Sequence, residues 1–252
     1  VKYAFWNGTD WNIMSVGSGS AFNAEGDVAI DLSDSDVPHI CFTAKPSNYG
    51  LGYTYYDGTT WQTDTHVVSE GLPAVSASIG KSCDIEVDQY GKPHIAHEYH
   101  NGKIGFTKMN GSTWEGSMIM GGNPSAKFIS LALDSEESPH ISFYLGNEVG
   151  DYHKDSLIYT WNDGNNWRFR DTGYYHTDHT FSSGTIGKYG DIDVDADDSA
   201  HIVSYSNAYR LVYYTDNYDI GLADSDGDGL PDAVDVFPSD PTESGDSDED
   251  GV

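Results

Sequence analysis

The sequence is poor in basic side chains, with 12 Lys and Arg against 41 Asp and Glu and a net charge of −29. Residues 221–252 hold 11 acidic side chains and no Lys or Arg, which leaves 30 acidic and 12 basic side chains, or −18, in residues 1–220. A chain of this charge repels a phosphate backbone, so we expect no nucleic-acid partner.

Long apolar runs and cysteines are also scarce. No apolar run approaches the roughly 18 residues that a membrane span needs, so we expect no membrane insertion within this chain. Cys41 and Cys83 match no metal-binding spacing. They are either one disulfide of an exported protein or two buried thiols, and the disulfide is favoured. No secretion signal is visible; residues 1–6 already resemble a strand, so any export signal would lie upstream in a longer polypeptide.

Catalytic signatures are missing as well. The sequence contains no G-x-S-x-G, no H-E-x-x-H and no phosphate-binding Gly loop. His176 and His179 form an H-x-x-H pair in a loop-like stretch, but two imidazoles without a third ligand are a weak zinc signal. We therefore incline towards a protein that is not an enzyme.

One short pattern recurs along the chain: an aliphatic residue, an aromatic residue two positions later, Asn or Asp followed by Gly, and Trp three residues after the Gly. The copies are VKYAFWNGTDW (1–11), LGYTYYDGTTW (51–61), IGFTKMNGSTW (104–114) and LIYTWNDGNNW (157–167), and LVYYTD (211–216) is a shortened fifth copy that keeps Leu211 and Tyr213. Asn-Gly or Asp-Gly between β-rich segments predicts a hairpin with a two-residue turn, whose central positions both need positive φ.

A second pattern alternates with the first. An alternating strand and an acidic turn precede a strand with the motif His-Ile, and the four histidines are His39, His94, His140 and His201. One face of the preceding strands carries an aliphatic residue in each copy: Ile30, Ile85, Leu131 and Ile192. Two hairpins, or four antiparallel strands, thus recur at the spacing of the tryptophans, which is 50, 53 and 53 residues.

Four-stranded units at this period predict an all-β fold, namely a β-propeller of four-stranded antiparallel blades over residues 1–220. Five outer hairpins but only four inner ones are present, so the N-terminal hairpin lacks its inner partner and the last blade lacks its outermost strand. We expect about five blades, with the ring closed by pairing of the chain ends. Four blades, or a larger ring with upstream blades outside this sequence, are the alternatives.

The repeat resembles known propeller repeats. The ending G-x-x-W resembles the Asp-box of sialidase-type propellers, although the Asp here directly precedes the Gly. The whole unit is similar to the D-x-x-G-x-P-H-I-S-Y … L-x-Y repeats of secreted bacterial surface proteins, and some polysaccharide-lyase propellers are similar too. The resemblance covers residues 1–216 and implies the fold more than the function.

The acidic segment 221–252 forms a second domain in which carboxylates stand at fixed offsets. Positions 1, 3, 5, 7, 9 and 12 of a calcium loop are filled by Asp224, Asp226, Asp228, the backbone carbonyl of Leu230, Asp232 and Asp235. Gly229 stands at position 6, where such a loop turns sharply. These offsets predict Ca²⁺ ligands.

Residues 224–241 also match the thrombospondin type 3 repeat, D-x-D-x-D-G-x-x-D-x-x-D-x-x-P-x-D-P, at every position. This resemblance implies tandem Ca²⁺ sites in an extracellular stalk, with ions shared between neighbouring repeats. The second-site ligands that it implies are Asp240, Asp246, Asp248 and Asp250, in a repeat that this chain contains only in part.

Removal of calcium should therefore unfold residues 223–252 while the propeller survives, because so many neighbouring carboxylates repel one another without a cation. Limited proteolysis with and without a chelator measures this. Equal resistance of the segment under both conditions would contradict the prediction.

The repeated histidines and tryptophans are interpreted as structural. A residue present in every blade serves a need of every blade, so we expect each histidine to bond the backbone or a carboxylate of a neighbouring blade. The tryptophans Trp11, Trp61, Trp114 and Trp167 should pack against the hairpins and not serve as sugar platforms.

Departures from the repeat are better candidates for function. The second unit adds His97 and His100, and a long insertion at 172–187 joins the third and fourth units. The candidate catalytic residues are Tyr174, Tyr175, His176 and His179 in that insertion, together with Arg168, Arg170 and Arg210. Arg168 and Arg170 alternate along a strand and so share a face.

Three functions are compatible with these features. The abundance of Tyr, Trp, Asn and Asp favours a secreted or cell-surface recognition or adhesion module for an extracellular glycan or surface protein, with Ca²⁺ as cofactor. A polysaccharide lyase acting on a uronate polymer is the alternative. Elimination across a uronate needs a cation to neutralise the carboxylate, a base to remove the adjacent proton and an acid to protonate the leaving oxygen, and Arg, His and Tyr can fill these roles. A protein-docking scaffold is the third.

Overall fold

The protein is described here from a computed structural model. The structure describes residues 1–17, 27–44, 50–64, 67, 82–99, 102–150, 152, 154–164, 166–171, 188–206 and 211–216. The expected calcium segment lies outside these residues, as do His100, Tyr174, Tyr175, His176, His179 and Arg210. No helix in the described part of the chain has the length and apolar character needed to cross a membrane.

Within the described residues the chain forms five antiparallel sheets. The N-terminal hairpin consists of β1 (Lys2–Trp6) and β2 (Trp11–Ser15). Blade 1 consists of β3 (Val28–Leu32), β4 (Pro38–Ala44), β5 (Gly50–Tyr56) and β6 (Trp61–Asp64). Blade 2 consists of β7 (Cys83–Val87), β8 (Pro93–Tyr99), β9 (Lys103–Asn110) and β10 (Thr113–Met120). Blade 3 consists of β11 (Lys127–Leu133), β12 (Pro139–Leu145), β13 (Ser156–Asn162) and β14 (Trp167–Asp171). Blade 4 consists of β15 (Lys188–Val194), β16 (Ala200–Ser206) and β17 (Leu211–Asp216).

The turns of the outer hairpins lie where the sequence predicts them, but most are not of the predicted two-residue type. In the N-terminal hairpin the loop spans residues 7–10, and Asn7 Oδ1 accepts hydrogen bonds from the backbone amides of Thr9 and Asp10, both 2.9 Å long. Asp57 does the same in blade 1. Positive φ is confined to the following glycine, 97° at Gly8, because the side-chain acceptor shapes the rest of the turn. These loops therefore have four residues, and only the loop between β9 and β10 has the predicted two.

Consecutive blades pack face to face, with their first strands adjacent in the order β3, β7, β11 and β15. Each hydrophobic cluster lies between neighbouring sheets. One joins Cys41, Leu51 and Tyr53 of blade 1 to Ile85 and Trp114 of blade 2. Corresponding clusters join blade 2 to blade 3 and blade 3 to blade 4. This repeated sheet-to-sheet packing confirms the predicted all-β propeller architecture.

The strand inventory agrees with the expected gaps. Among the described strands, three blades have four strands, blade 4 has three, and β1–β2 stands as a two-stranded sheet. The predicted closure by pairing of the chain ends is not found between these strands, because β1 pairs only with β2 and β17 only with β16. The shortened fifth copy is also shifted by one residue: Tyr214, and not Tyr213, stands opposite Val203, as Tyr53 stands opposite Cys41 in blade 1.

A disulfide crosses the first blade interface. Cys41 on β4 and Cys83 on β7 are bonded, with their Cα atoms 6.4 Å apart, and both are buried. Of the two interpretations left open by the sequence, the structure therefore shows the disulfide.

Candidate functional site

The repeated histidines form hydrogen bonds inside their own blades. Ring nitrogen Nδ1 of His140 lies 2.6 Å from the hydroxyl of Tyr159, and Nε2 lies 3.4 Å from Asp134 Oδ2. His39 is bonded to Tyr53 in the same way, at 2.7 Å. The structural interpretation is thus confirmed for these side chains, but the expected bonds to a neighbouring blade are wrong. In blades 2, 3 and 4 the acidic turn of the same hairpin places a carboxylate within reach of the histidine.

Burial keeps these histidines neutral. It lowers the pKa of His39, His94 and His140, although the carboxylates near them raise it in part. Burial likewise raises the pKa of the Tyr159 hydroxyl. In blade 2, Phe106 replaces the tyrosine, and Nδ1 of the buried His94 has no hydrogen-bond partner among the described residues. At neutral pH the imidazoles are therefore uncharged, and these contacts position side chains as hydrogen bonds and not as ion pairs.

His97, a candidate because it departs from the repeat, is a core residue. It is fully buried on β8, opposite Gly105 on β9, where an added Cβ would lie 2.7 Å from the imidazole. Phe42 occupies the same position in blade 1, again opposite a glycine. Burial lowers the pKa of His97 to about 4. The side chain fills space between strands and is inaccessible to a ligand.

The repeat tryptophans pack between blades. Trp61, Trp114 and Trp167 each make an edge-on contact with the repeat aromatic of the preceding sheet, namely Tyr3, Tyr53 and Phe106, at centroid distances of 5.3, 5.1 and 5.5 Å. Trp11 is exposed, and no sheet of the described residues packs against it as the preceding sheets pack against the other three. The expectation that these residues pack is confirmed for the three contacts, with the correction that the partner is the neighbouring blade.

A cleft between blades 3 and 4 combines aromatic, charged and amide groups. We call it the 3–4 cleft; its cavity is about 450 Å³. Its lining consists of Asp134, Glu136, Ser138, His140, Tyr159, Trp161, Asn162, Asp163, Gly164, Arg170 and Asp198. The volume lies within the range of small-molecule sites. The two walls are tied together by Ser135, whose amide and hydroxyl each donate to the Asp198 carboxylate at 2.8 Å.

An aromatic platform stands at the centre of this lining. Trp161 stacks on Tyr159 with centroids 5.1 Å apart and 16° between the ring planes. Tyr159 in turn stands opposite Arg170 on β14. The indole is only partly buried, packed on one side against the interface with blade 4. A partly exposed indole in a lining that also has an arginine and several carboxylates suits a ligand with both C–H surfaces and hydroxyl groups.

Of the candidate catalytic residues, Arg168 and Arg170 lie within the described part of the chain, and the other five lie outside it. Arg168 does not line the cleft; its Nε donates a hydrogen bond to Asp163 Oδ2, 2.7 Å away, at the surface. Of the two described candidates, Arg170 lines the cleft, together with His140 and Tyr159. Trp161 and Asp134 also line the cleft and are not among the residues predicted from the sequence. Trp161 could have been found, because the repeat position two residues after each aromatic varies, with Tyr55, Lys108 and Trp161 in blades 1 to 3.

A second cleft, of about 600 Å³, lies between blades 2 and 3. Lys108 stands there in place of Trp161, so the stacked aromatic pair is missing from it. Gln89 also reaches across, donating from its amide and side chain to Glu137 Oε1 at 3.2 and 2.8 Å. The 3–4 cleft is therefore the better candidate site.

Carboxylates from the first strands of three blades converge near the axis of the propeller. Glu86 on β7 interacts with Asp31, Asp84, Asp191 and Asp193. Burial first, and these like charges second, raise the pKa of Glu86 from the ordinary 4.5 to about 8. The folded state thus holds a proton on Glu86 that the unfolded chain releases. The stability of the fold should fall as the pH rises through the window from about 4.5 to 8.

We expect Glu86→Gln to remove this dependence. The variant should differ little from wild type at about pH 5 and be more stable by about 1–3 kcal/mol at about pH 9, after allowance for partial exposure of the carboxyl group. Urea unfolding at both pH values measures the difference. Glu115→Gln, at an exposed carboxylate on β10, is the matched control. A constant difference between Glu86→Gln and wild type across this range would contradict the assignment.

Comparison with known proteins identifies the architecture only. The sequence matches no family model and no curated protein. A variant of the Aleuria aurantia lectin in complex with α-methyl-L-fucoside aligns with 84% of this chain at 13% identity and a TM-score of 0.51, and this chain spans 64% of that lectin's length.

Two further solved structures align less closely. An ulvan lyase bound to -[GlcA(1-4)Rha3S]- aligns over 70% of this chain and 51% of its own, at 14% identity and a TM-score of 0.47. A fucose lectin from Kordia zhangzhouensis in complex with methyl-fucoside aligns over 59% of this chain and 99% of its own, at 19% identity and a TM-score of 0.36. At these identities only the similarity to the Aleuria aurantia lectin supports a conclusion, and that conclusion concerns the fold alone.

Proposed function

We propose that this protein is a recognition module whose 3–4 cleft binds a neutral glycan. The observation that carries the proposal is the partly exposed Trp161, stacked on Tyr159 and flanked by Arg170 and carboxylates. A pyranose ring places C–H groups on an aromatic face while its hydroxyls bond carboxylate, amide and guanidinium groups at the edge. A propeller of similar fold can carry such a site, as the lectin bound to α-methyl-L-fucoside illustrates.

The charge of the cleft favours a neutral ligand. Asp134, Glu136, Asp163 and Asp198 contribute four carboxylates to the lining, where Arg170 supplies a guanidinium. Arg168 pairs with Asp163 from outside the lining, so three carboxylates stand against Arg170. A uronate polymer would meet net repulsion there, since the carboxylates outnumber the cations. The polysaccharide lyase remains the second candidate because Arg170, His140 and Tyr159 lie together, which is the trio that uronate elimination requires.

Binding on a glycan array and isothermal titration with the best glycan test the proposal. Trp161→Ala should weaken binding by at least about tenfold, the loss expected from one aromatic contact, and Arg170→Ala should weaken it less. Trp11→Ala, at an exposed tryptophan outside the cleft, is the matched control and should bind as wild type does.

The two candidate functions give different results. Retention without turnover supports the recognition module, whereas a rise in ultraviolet absorbance from unsaturated product on a uronate polysaccharide would identify a lyase. Unchanged glycan binding in a folded Trp161→Ala variant would overturn the assignment to this cleft.

We further propose that residues 221–252 bind Ca²⁺ and that the protein works outside the cell as an adhesion module. The support is the spacing of the carboxylates from Asp224 to Asp250, which matches a calcium-loop pattern. An oxidised Cys41–Cys83 pair is typical of exported proteins. The chelation experiment on the acidic segment tests the calcium half of this proposal independently of the cleft.

A further inference from the structure

The first strand of each blade buries an aliphatic side chain against the blade before it, except in blade 1. Ile85, Leu131 and Ile192 are 1%, 1% and 6% exposed, in clusters shared with the preceding blade. Their equivalent in blade 1, Ile30, is 51% exposed, and its neighbours on the same face, Val28 and Leu32, are about as exposed. Blade 1 therefore presents, uncovered, the same apolar face that the other blades bury.

The last blade is open on the complementary side. Val203 on β16 is 38% exposed, whereas its equivalents Cys41, Ala96 and Ser142 are completely buried under the next blade. Furthermore, β15 does not pack beside β3 in the way that successive first strands do in the rest of the described structure. Among the described residues, a gap with two apolar walls thus separates blade 4 from blade 1.

The N-terminal hairpin defines what is missing from this gap. Tyr3 contacts Trp61 as Tyr53 contacts Trp114, so β1 and β2 stand where β5 and β6 stand in blade 1. In blade 1, β5 pairs with β6 on one side and with β4 on the other, whereas among the described strands β1 pairs with β2 alone. The free edge of β1 lacks two strands, which is one inner hairpin.

The hydrogen bonds between first strands point to the same occupant. Asp31 accepts from the amide of Leu32 with Oδ1 and from the amide of Val87 in the next blade with Oδ2, both at 2.7 Å. Asp193 on β15 repeats the first of these bonds, to Val194, at 2.9 Å. A first strand lying next to β15 would offer an amide to Asp193 Oδ2 as Val87 does to Asp31.

We propose that the gap between blades 4 and 1 is a docking site for an inner β-hairpin of this repeat. The hairpin has an alternating strand, an acidic turn and a Pro-His-Ile strand, adds to the free edge of β1, and covers Ile30. Main-chain pairing along an open edge supplies the hydrogen bonds, and the alternate side chains fill the apolar walls. This inference does not depend on the glycan site, which lies at the opposite face of blade 4.

A synthetic peptide of residues 127–145 is a suitable probe, because that inner hairpin has Ser130 and Ala132 where other blades place carboxylates near Glu86. The full chain should bind the peptide with one-to-one stoichiometry by isothermal titration. Ile30→Asp should weaken this binding at least tenfold. Hydrogen exchange should show new protection of the β1 amides that face away from β2.

Two controls separate docking from misfolding and from self-association. Tyr90→Asp places the same charge at an exposed turn residue of blade 2 and should leave peptide binding unchanged. Circular dichroism should show both variants folded, since Ile30 and Tyr90 are exposed. The proposal would be overturned if wild type does not bind the peptide, or if Ile30→Asp binds it equally well. It would also be overturned if the protein forms a dimer that Ile30→Asp disrupts but the peptide does not.

Discussion

Replacing Cys41 and Cys83 together by alanine should lower the free energy of unfolding by about 4 kcal/mol. The disulfide closes a loop with a sequence separation of 42 residues, and cross-linking a loop of that length restricts the unfolded chain by about this amount. The bond also joins β4 to β7 across the interface between blades 1 and 2, where both sulfurs are buried in the shared cluster. Alanine leaves little of that cluster exposed, so the loss of the cross-link should dominate.

Urea unfolding of wild type and the double variant, each with and without reductant, measures this effect. Reductant should shift wild type to the midpoint of the variant and leave the variant unchanged, since the variant has no bond to reduce. A reductant-insensitive wild type, or a variant as stable as wild type, would contradict the disulfide.

The fold could be predicted from the period of the repeat, whereas the contacts between blades could not be predicted from the sequence. The spacing of Tyr53, His94 and Trp114 predicts strands and hairpins because alternation and turn residues are local properties. The partner of Trp114 is Tyr53, 61 positions earlier in the sequence, and it is determined by how two sheets stack. A single sequence specifies which face is apolar but not which face of the neighbouring blade covers it.

The candidate site was predicted less completely for the same reason. Arg170 was identified from its scarcity and its strand, but Trp161 was treated as an ordinary member of the repeat. Its importance arises from the cleft, which needs β13 of blade 3 beside the acidic turn of blade 4. Asp198 enters that cleft from a strand pair that follows the insertion at 172–187, at a distance in sequence that no local pattern bridges. Sites between blades are thus visible only once the blades are stacked.

The hairpin turns show how a side chain can replace a backbone preference. Asn-Gly favours a two-residue turn when both residues adopt positive φ. Here Asn7 instead accepts two amide hydrogen bonds and widens the loop to four residues, leaving positive φ to Gly8. The sequence located the turn correctly because both solutions use the same residues.

Trp114→Ala should cost about 3–5 kcal/mol of stability, the range for truncating a large buried aromatic side chain. Trp114 is 7% exposed and meets the edge of Tyr53 at a centroid distance of 5.1 Å and an angle of 79°. Its loss would leave a cavity between blades 1 and 2 next to the disulfide, where the sheets cannot collapse without moving apart.

Trp11→Ala is the matched control, because it removes the same side chain at the same repeat position. Trp11 is 65% exposed, with no sheet packed against it among the described residues, and the change should alter stability by less than about 0.5 kcal/mol. Thermal and urea unfolding of the two variants side by side measure the contrast. If each tryptophan packed only against its own hairpin, the two truncations would lower the free energy of unfolding by similar amounts. A large difference shows that the preceding blade supplies the stabilising contact.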